Sequence, residues 1–420
     1  MRIYLDSVGC RLNWSEIEIL ARQFAATGHT VVADPSESDV IVVNTCGVTA
    51  QAERKTRHRI RCLHRDNRDA RIAVIGCYST LRAEISNGLP GVVWVIPNGD
   101  KDRTVDIVTA EPLPSSVREE PATGDEMLRT RAFIKVQDGC DNRCTFCIVP
   151  SLRGPSRSRS KGDVITEVRG LVERAGCREA VISGANLGAY GRDLGLEKGL
   201  RALVESLLAH TDVERLRLSS LEPWDIEESF FELWDDSRLC RQIHLPLQSG
   251  CDATLRRMGR PIVRDDYERL VKAAREAIPG LAVTTDVLVG FPGEDRDAFR
   301  ESYDFVEQIR FAKLHVFPYS ARPGTPAARL PGKVCREVRD ERARRMRALG
   351  AEERRQFQES FLGRELQVLW EKRRGDGRWT GWTDNYIRVV GPGDPDLFNR
   401  ITPTRLLGVY ETALEGRALL

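Results

Sequence analysis

The sequence predicts an α/β protein in three parts: an N-terminal doubly wound parallel sheet, a central partial (β/α)6 barrel and a small C-terminal β-barrel. Three observations predict this. Apolar runs alternate with helical periodicity over the first hundred residues. Six more runs alternate with helices between residues 131 and 355. After Gly363 the runs become short and are separated by turns. The expected divisions are 1–110, a linker at 111–130, 131–355 and 356–420.

In the first part, the expected strands are Arg2–Val8, Val40–Val43, Arg71–Ile75 and Val93–Ile96. Between the first two, Ile17, Leu20, Ala21 and Phe24 recur at helical spacing; Asn13 with Glu16 gives an N-terminal capping pattern, and Gly28 stops the helix. From residue 101 the composition changes, and Pro112, Pro114, Ser115, Ser116, Pro121 and Gly124 mark the linker. The barrel strands are Phe133–Gln137, Ala180–Ser183, Arg215–Ser219, Gln242–Pro246, Val283–Val289 and Lys313–Phe317, with helices such as Asp163–Ala175 and Arg264–Ala277 between them. An Arg-rich helix over 333–358 precedes the tail strands Glu365–Trp370, Trp379–Thr383, Ile387–Val390 and Arg405–Glu415.

The bulk composition is ordinary for a folded chain: 41% hydrophobic, 30% charged and a formal net charge of +2, which favours neither nucleic acid nor its absence. Basic residues concentrate locally, in Arg54–Arg61 and Arg153–Lys161. No apolar run approaches the roughly 20 residues that span a bilayer, and MRIYLDSVGC reads as a strand rather than an export signal, so a cytoplasmic protein is expected. Eleven cysteines in such a compartment point to metal or catalysis rather than disulfides.

One group of cysteines is tightly spaced. Gly139-Cys140-Asp141-Asn142-Arg143-Cys144-Thr145-Phe146-Cys147 places three thiols at C-x3-C-x2-C just after a strand. Three thiolates can grip three corners of a 4Fe–4S cluster and leave one iron open to a non-protein ligand. A structural zinc site wants four ligands, and no further Cys or His follows within a dozen residues; the zinc alternative must borrow a distant one. Cys10, Cys46 and Cys77 each follow an expected strand of the first sheet. In a parallel sheet those strand ends share one edge, where ligands bind, so the three thiols are candidates for a second cluster. The remaining Cys62, Cys177, Cys240, Cys251 and Cys335 are expected to be packing residues. No two histidines stand at metal-ligand spacing, and His244 reads as a hydrogen-bonded core residue.

The C-x3-C-x2-C signature resembles the radical S-adenosylmethionine (SAM) superfamily. The stretches SVGCRLNWSE, VVNTCGVTAQAERKTRHRI, VIGCY, GCDNRCTFCIVPSLRGPSRSR, SGANLGAYGRD, LPLQSGCDATLRRMGR, TTDVLVGFPGE and FPYSARPGTPA together resemble the radical SAM methylthiotransferases over nearly the whole chain. Arg153–Arg159 and NLGAYGRD are most similar to the MtaB-type branch acting on tRNA threonylcarbamoyladenosine; GCRLN is a conservative departure from that branch's commoner GCKVN.

The resemblance implies a radical SAM barrel, a TRAM-like tail, two 4Fe–4S clusters and SAM. Cys140, Cys144 and Cys147 would hold the catalytic cluster, and Cys10, Cys46 and Cys77 the auxiliary one. One SAM would methylate sulfur at the auxiliary cluster, and a second would yield a 5′-deoxyadenosyl radical that abstracts the hydrogen between the ring nitrogens of the six-membered adenine ring. The implied SAM contacts are Phe146, Gly184, Asn186, Ser220, Glu222, Gln248, Val289, Gly290 and Phe317, although Ser183-Gly184-Ala185-Asn186 departs from the usual Gly-Gly-Glu pattern. The implied partners are tRNA, an electron donor such as a flavodoxin or ferredoxin, and a sulfur source, with no membrane.

In the tail, Trp370, Trp379, Trp382 and Tyr386 lie among Lys372, Arg373, Arg374, Arg378 and Arg388, which suits either base stacking with phosphate neutralisation or a barrel core with a solvated face. The alternatives in function are a methylthiotransferase for isopentenyl-adenosine in tRNA or for a ribosomal-protein aspartate, and a non-enzymatic iron–sulfur RNA-binding redox sensor.

Overall fold

A computed structural model of the chain describes residues 1–114 and 130–419; most of the expected linker at 111–130 lies outside the described residues. The N-terminal sheet has strands β1 (Arg2–Ser7), β2 (Thr30–Val32), β3 (Val40–Thr45), β4 (Arg71–Gly76) and β5 (Val92–Pro97), all parallel, in the order β2-β1-β3-β4-β5. Every residue of β3 is buried because helices cover both faces, which is why VIVVNT reads as an unbroken run. Helices α1 (Arg11–Ala26), α2 (Ala50–Asp66), α3 (Cys77–Leu81), α4 (Ala83–Asn87) and α5 (Thr104–Thr109) connect or follow the strands, so the composition change at residue 101 falls inside regular structure. The edge strand β2 has no counterpart in the sequence reading; its three residues lie too close to Gly28 to show a period.

The capping expectation at Asn13 is overturned. Helix α1 begins at Arg11 with Cys10 as N-cap and no side-chain cap bond. Asn13 and Glu16 are instead buried inside the first turns, where they meet partners from distant parts of the chain.

The central region holds β6 (Arg131–Lys135), a short β7–β8 ribbon (Gln137–Asp138, Arg157–Ser158), β9 (Glu179–Ser183), β10 (Arg215–Leu218), β11 (Gln242–His244), β12 (Ala282–Val289) and β13 (Lys313–Pro318). Parallel pairing gives β6-β9-β10 and β11-β12-β13, and the bridges Leu216–Leu239 and Ser220–His244 join the two into one curved sheet of six strands. No pairing joins β6 to β13 among the described residues, so the barrel is partial, and α1 packs along β6 on that open side. The helices are α6 (Val149–Arg153), α7 (Lys161–Glu173), α8 (Gly199–His210), α9 (Asp252–Met258), α10 (Arg264–Ala277), α11 (Arg296–Ile309) and α12 (Arg336–Glu359). Hydroxyl or carboxylate caps at Ser160 and Asp295 fix the starts of α7 and α11.

Side chains alternate along these strands. Leu216 and Leu218, Ile243, Val283 and Val287 enter the outer core under the helices, while Arg215 and Arg217, His244, Thr284 and Asp286, and Lys313 and His315 occupy the opposite face, the lumen. The lumen is therefore polar. His244 is on this face and not in the core, although it is hydrogen-bonded as expected, Nδ1 lying 2.9 Å from Thr284 Oγ1.

The tail is a closed five-stranded barrel of β14 (Glu365–Arg373), β15 (Trp379–Thr383), β16 (Arg388–Gly391), β17 (Ile401–Tyr410) and β18 (Ala413–Ala418), in the order β14-β15-β16-β18-β17. The strand expected at Arg405–Glu415 is two strands that turn at Glu411–Thr412. Trp370 and Trp379 are core residues. Among the other cysteines, Cys177, Cys240 and Cys251 are buried, but Cys335 is exposed at the start of α12 and does not pack; Cys62 is half-buried beside His58. No helix among the described residues is long and apolar enough to cross a membrane.

Candidate functional site

The Cys140–Cys147 loop sits over the C-terminal ends of the barrel strands. Backbone bonds tie it down: Cys140 N donates to Gly154 O (3.1 Å), Cys147 N to Cys144 O (3.0 Å) and Thr145 N to Met258 O (2.8 Å). Its entry needs glycine. Gly139 has φ +73°, and a Cβ there would lie 1.9 Å from Pro155 O. All three thiols are half-exposed. Burial pushes Cys140 up to about 11 and Cys147 up to about 12, and it also raises Cys144, so their thiolates call for a positive partner. Arg260 Nη1 approaches Cys144 Sγ at 4.0 Å while its Nη2 pairs with Glu222 at 2.8 Å.

Around this loop, polar atoms are buried without partners among the described residues: Asn186 Oδ1, Ser219 Oγ and Asn142 Nδ2. Buried polar groups normally find partners, so this rim suits a polar ligand beside the thiols. Together with the three thiols, it fits a site where Cys140, Cys144 and Cys147 would hold a 4Fe–4S cluster with SAM beside it. Among the described residues no three His, Cys, Asp or Glu groups close around a single ion.

The expected SAM-contact residues divide. Phe146 lies edge-on to Phe291 (6.5 Å between centroids), and Phe317 is exposed at the end of β13. Gly184 follows β9, where a Cβ would meet Gln137 Oε1 at 2.8 Å, and that same oxygen accepts from Asn186 N at 2.9 Å. Ser220 is half-buried at the β10 end, and Glu222 faces the loop with its carboxyl raised by burial against the pull of Arg260. Gln248 adopts φ +70° and exchanges backbone bonds with Asp286 and Leu288. Val289 points its side chain into the outer core, and Gly290 lets Arg339 of α12 pass, with a Cβ reaching 2.5 Å from Arg339 Cγ. These two are not brought to the lumen through side chains.

Cys10, Cys46 and Cys77 follow β1, β3 and β4, which are adjacent, so their ends form one edge. A Cβ at Gly9 would lie 3.0 Å from Cys46 Cβ, and one at Gly47 3.0 Å from Cys77 O. Cys10 Sγ donates to Asn13 Oδ1 (3.4 Å), Asn98 Nδ2 donates to Cys77 Sγ (3.4 Å), and burial pushes Cys46 up to about 12. This set, too, fits a cluster held at three corners.

A buried ion network joins the two cysteine sets. Arg153, which ends the helix after Cys147, donates to Asn13 Oδ1 (3.0 Å), Glu16 Oε1 (3.1 Å) and Asp138 Oδ1 (2.8 Å). Glu16 also pairs with Lys101 (2.5 Å) and Lys135 (3.3 Å) and accepts from Asn44 (2.8 Å). Burial opposes ionisation of Glu16, yet Lys135, Lys101 and Arg153 hold its carboxyl well below the usual range. On the other side, Arg322 from the loop after β13 donates to Gly47 O (3.0 Å), next to Cys46. In the sequence Arg153 opens a basic run, and nothing there links it to Asn13, Glu16 or Asp138. Only conversion of sequence neighbours into spatial ones finds them.

The sequence also gives no sign of the lumen floor. Trp382, near the end of β15, and Tyr386, in the turn that follows, stack at 4.6 Å. Arg215 and Arg217 of β10 donate to the carbonyls of Trp382 (3.0 Å) and Asp384 (2.9 Å), and Arg217 pairs with buried Glu179 at 2.7 Å. The half-buried pair thus lies across the N-terminal mouth of the barrel, lining a cavity with Thr284 and Lys313, while Lys372, Arg373 and Arg388 remain exposed. Above the floor, His244 lies 5.7 Å from His315 and 3.4 Å from Asp286, and burial holds His315 down to about 4, hence neutral near pH 7. The alternation Arg-Leu-Arg-Leu, Gln-Ile-His and Lys-Leu-His in the strands is the signal that shows this polar face.

Residues 134–306 match the Radical SAM superfamily, and residues 2–96 match a family described as Uncharacterized protein family UPF0004. The chain is 35% identical to the threonylcarbamoyladenosine tRNA methylthiotransferase MtaB of Bacillus subtilis (strain 168), over 99% of this chain and 96% of that one. It is 34% identical to the tRNA-2-methylthio-N(6)-dimethylallyladenosine synthase of Syntrophotalea carbinolica, over 98% of each. Among solved structures, the radical SAM methyltransferase TsrM from Kitasatospora setae shares the fold, with TM-score 0.56 and 17% identity over 78% of this chain and 77% of that one.

Proposed function

Because the chain belongs to the tRNA methylthiotransferase family within the radical SAM superfamily, we propose that it adds a methylthio group to the adenine ring of N6-threonylcarbamoyladenosine beside the anticodon of tRNA. It is an enzyme, a transferase using 4Fe–4S clusters and SAM. An aromatic C–H has no acidic proton for a base to take, and a 4Fe–4S cluster with SAM would supply the radical chemistry that this bond requires.

The chain's own residues do the rest. Cys140, Cys144 and Cys147 would hold the catalytic cluster, and Cys10, Cys46 and Cys77 the auxiliary one. Asn186 Oδ1, Ser219 Oγ and Asn142 Nδ2 offer hydrogen bonds to SAM, and the Arg260–Glu222 pair fixes charge beside Cys144. Arg153, Glu16 and Asn13 set one cysteine set against the other, so that a base in the lumen has both within reach. The Trp382–Tyr386 stack borders the far end of the lumen.

The observation that carries this reading is the joining of two three-cysteine strand-end sites by one buried ion network. An electron donor such as a flavodoxin or ferredoxin, a sulfur source and a cytoplasmic setting complete the proposal. The test is mass spectrometry of tRNA nucleosides from cells lacking the gene: loss of the methylthio form of threonylcarbamoyladenosine is expected. The full-length match to a dimethylallyladenosine synthase favours one second reading, in which the dimethylallyl nucleoside loses its methylthio group instead. An unchanged nucleoside profile with an altered ribosomal-protein mass would overturn both.

A further inference from the structure

The lumen holds more cations than its carboxylates neutralise, and the excess lies in one place. Arg131 is held by Glu371 at 2.5 Å, and Arg217 by Glu179 at 2.7 Å. Arg215 lies 3.8 Å from Glu179 and spends its donors on backbone carbonyls. Arg11, at the start of α1, and Lys313, at the start of β13, have no carboxylate within ion-pair distance among the described residues. They come from the two sides of the barrel's open seam and converge on one ring. Arg11 Nη2 donates to Tyr386 Oη at 3.1 Å with its guanidinium 5.7 Å from the ring centroid, and Lys313 Nζ lies 5.9 Å from the same centroid. Both are half-buried. His315 stands one lumen position above Lys313 and opposite Asp286, whose carboxylate lies 3.4 Å from His244; His315 is neutral, so it adds a hydrogen-bonding nitrogen and no charge.

Arg11 and Lys313 gather with Arg131 and Arg217 around Tyr386, and like charges held this close repel one another. The Tyr386 ring attracts them but brings no countercharge. An anion arriving from outside would.

We propose that Arg11 and Lys313 form a carboxylate-binding subsite in the lumen, which selects the free acid of the threonylcarbamoyl substituent. This rests on the substrate reading above and extends it to specificity. Threonine's α-carboxylate is the one anionic group on that modified base, and its hydroxyl suits His315. A dimethylallyl group is a hydrocarbon; it would leave both cations facing an apolar surface with their hydration lost. The subsite therefore separates the two substrates named for relatives of nearly equal identity.

The test uses holoprotein with both clusters reconstituted anaerobically, and two anticodon stem-loop RNAs. One carries the threonylcarbamoyl group as its free acid, the other as its neutral methyl amide. Dissociation constants and methylthiolation rates are measured for each. The parent should bind the acid on the order of tenfold or more tighter than the amide, the range of charge-assisted contacts. Lys313→Met should bring that ratio close to one, Arg11→Gln should lower it, and Lys313→Arg should retain it. The ratio is internal to each protein, so a variant with a damaged fold cannot mimic the effect, and Lys313 lies on a strand without cysteines. A parent ratio near one, or a ratio unchanged in both neutral variants while the acid RNA is turned over, overturns the subsite. A parent that converts dimethylallyladenosine RNA but not the acid RNA overturns the substrate reading itself.

Discussion

Replacing Glu16 by glutamine should uncouple the N-terminal sheet from the barrel, and the size of the effect follows from the network's charges. Lys101, Lys135 and Arg153 face Glu16 and Asp138, and Asp102 also acts on Lys135, so the parent's charges come close to balance. Glu16→Gln keeps the shape and leaves the cations in excess. Glu16 is the sole carboxylate within ion-pair distance of Lys101 among the described residues, and Lys101 is 4% exposed. Breaking a buried pair by removing one partner costs about 3–5 kcal/mol. Burial already lowers Lys101 against the pull of Glu16, so in the variant it sheds its proton more readily, which caps the loss at about 1.4 kcal/mol per unit that its pKa must fall to reach the working pH.

The pH dependence has a definite sign. A lysine whose folded pKa is depressed destabilises the fold at neutral pH, and stability returns as pH rises from the folded value towards the unfolded one near 10.4. The variant should thus recover part of its deficit between about pH 7 and 10, and more than the parent does. Glu16 itself, held below its usual value, contributes stability above about pH 4.3 that is lost on further acidification; the variant lacks this acid limb. The assay is urea titration read by hydrogen exchange in α1, α6 and β6, because separate parts of a multidomain chain need not unfold together. A deficit under about 0.5 kcal/mol, the size of a surface substitution, or one independent of pH, would refute the argument.

Three other substitutions follow from the geometry. Gly139→Ala forces a Cβ to within 1.9 Å of Pro155 O at a positive φ, so iron content after reconstitution should fall to that held at Cys10, Cys46 and Cys77 alone. Retention of full iron would show that the loop entry can yield. Cys46→Ala should still form 5′-deoxyadenosine from SAM but yield no methylthiolated RNA by mass spectrometry, whereas Cys140→Ala should do neither. Arg217→Met leaves Glu179 and the Asp384 carbonyl without their buried donor, at a cost of about 3–5 kcal/mol, and limited proteolysis between α12 and β14 should accelerate.

What could be read from the sequence depended on how far apart the partners lie. Cys140, Cys144 and Cys147 sit within eight residues, so the joint role proposed for them can be read in one line. Cys10, Cys46 and Cys77 became visible through topology, since adjacent parallel strands end on one edge. The Glu16–Arg153 contact spans 137 positions, and no local pattern announces it; Glu16 resembled a cap because Asn13 precedes it by three. The lumen face could have been read. Arg215, Arg217, His244 and Lys313 alternate with Leu216, Leu218, Ile243 and Leu314, a period of two that separates helix-covered from lumen-facing residues. Pursuit of apolar runs located the strands and passed over their other side.

The Trp382–Tyr386 floor bears on how this protein can be engineered. A small terminal β-barrel invites removal, or exchange for one with another RNA preference, as though it were a detachable adaptor. Here the end of β15 and the turn after it underlie the central barrel. A shortened chain would open Glu179, Arg215 and Arg217 to solvent. Grafts should therefore keep residues 382–386 with the central barrel and join the foreign sequence outside them.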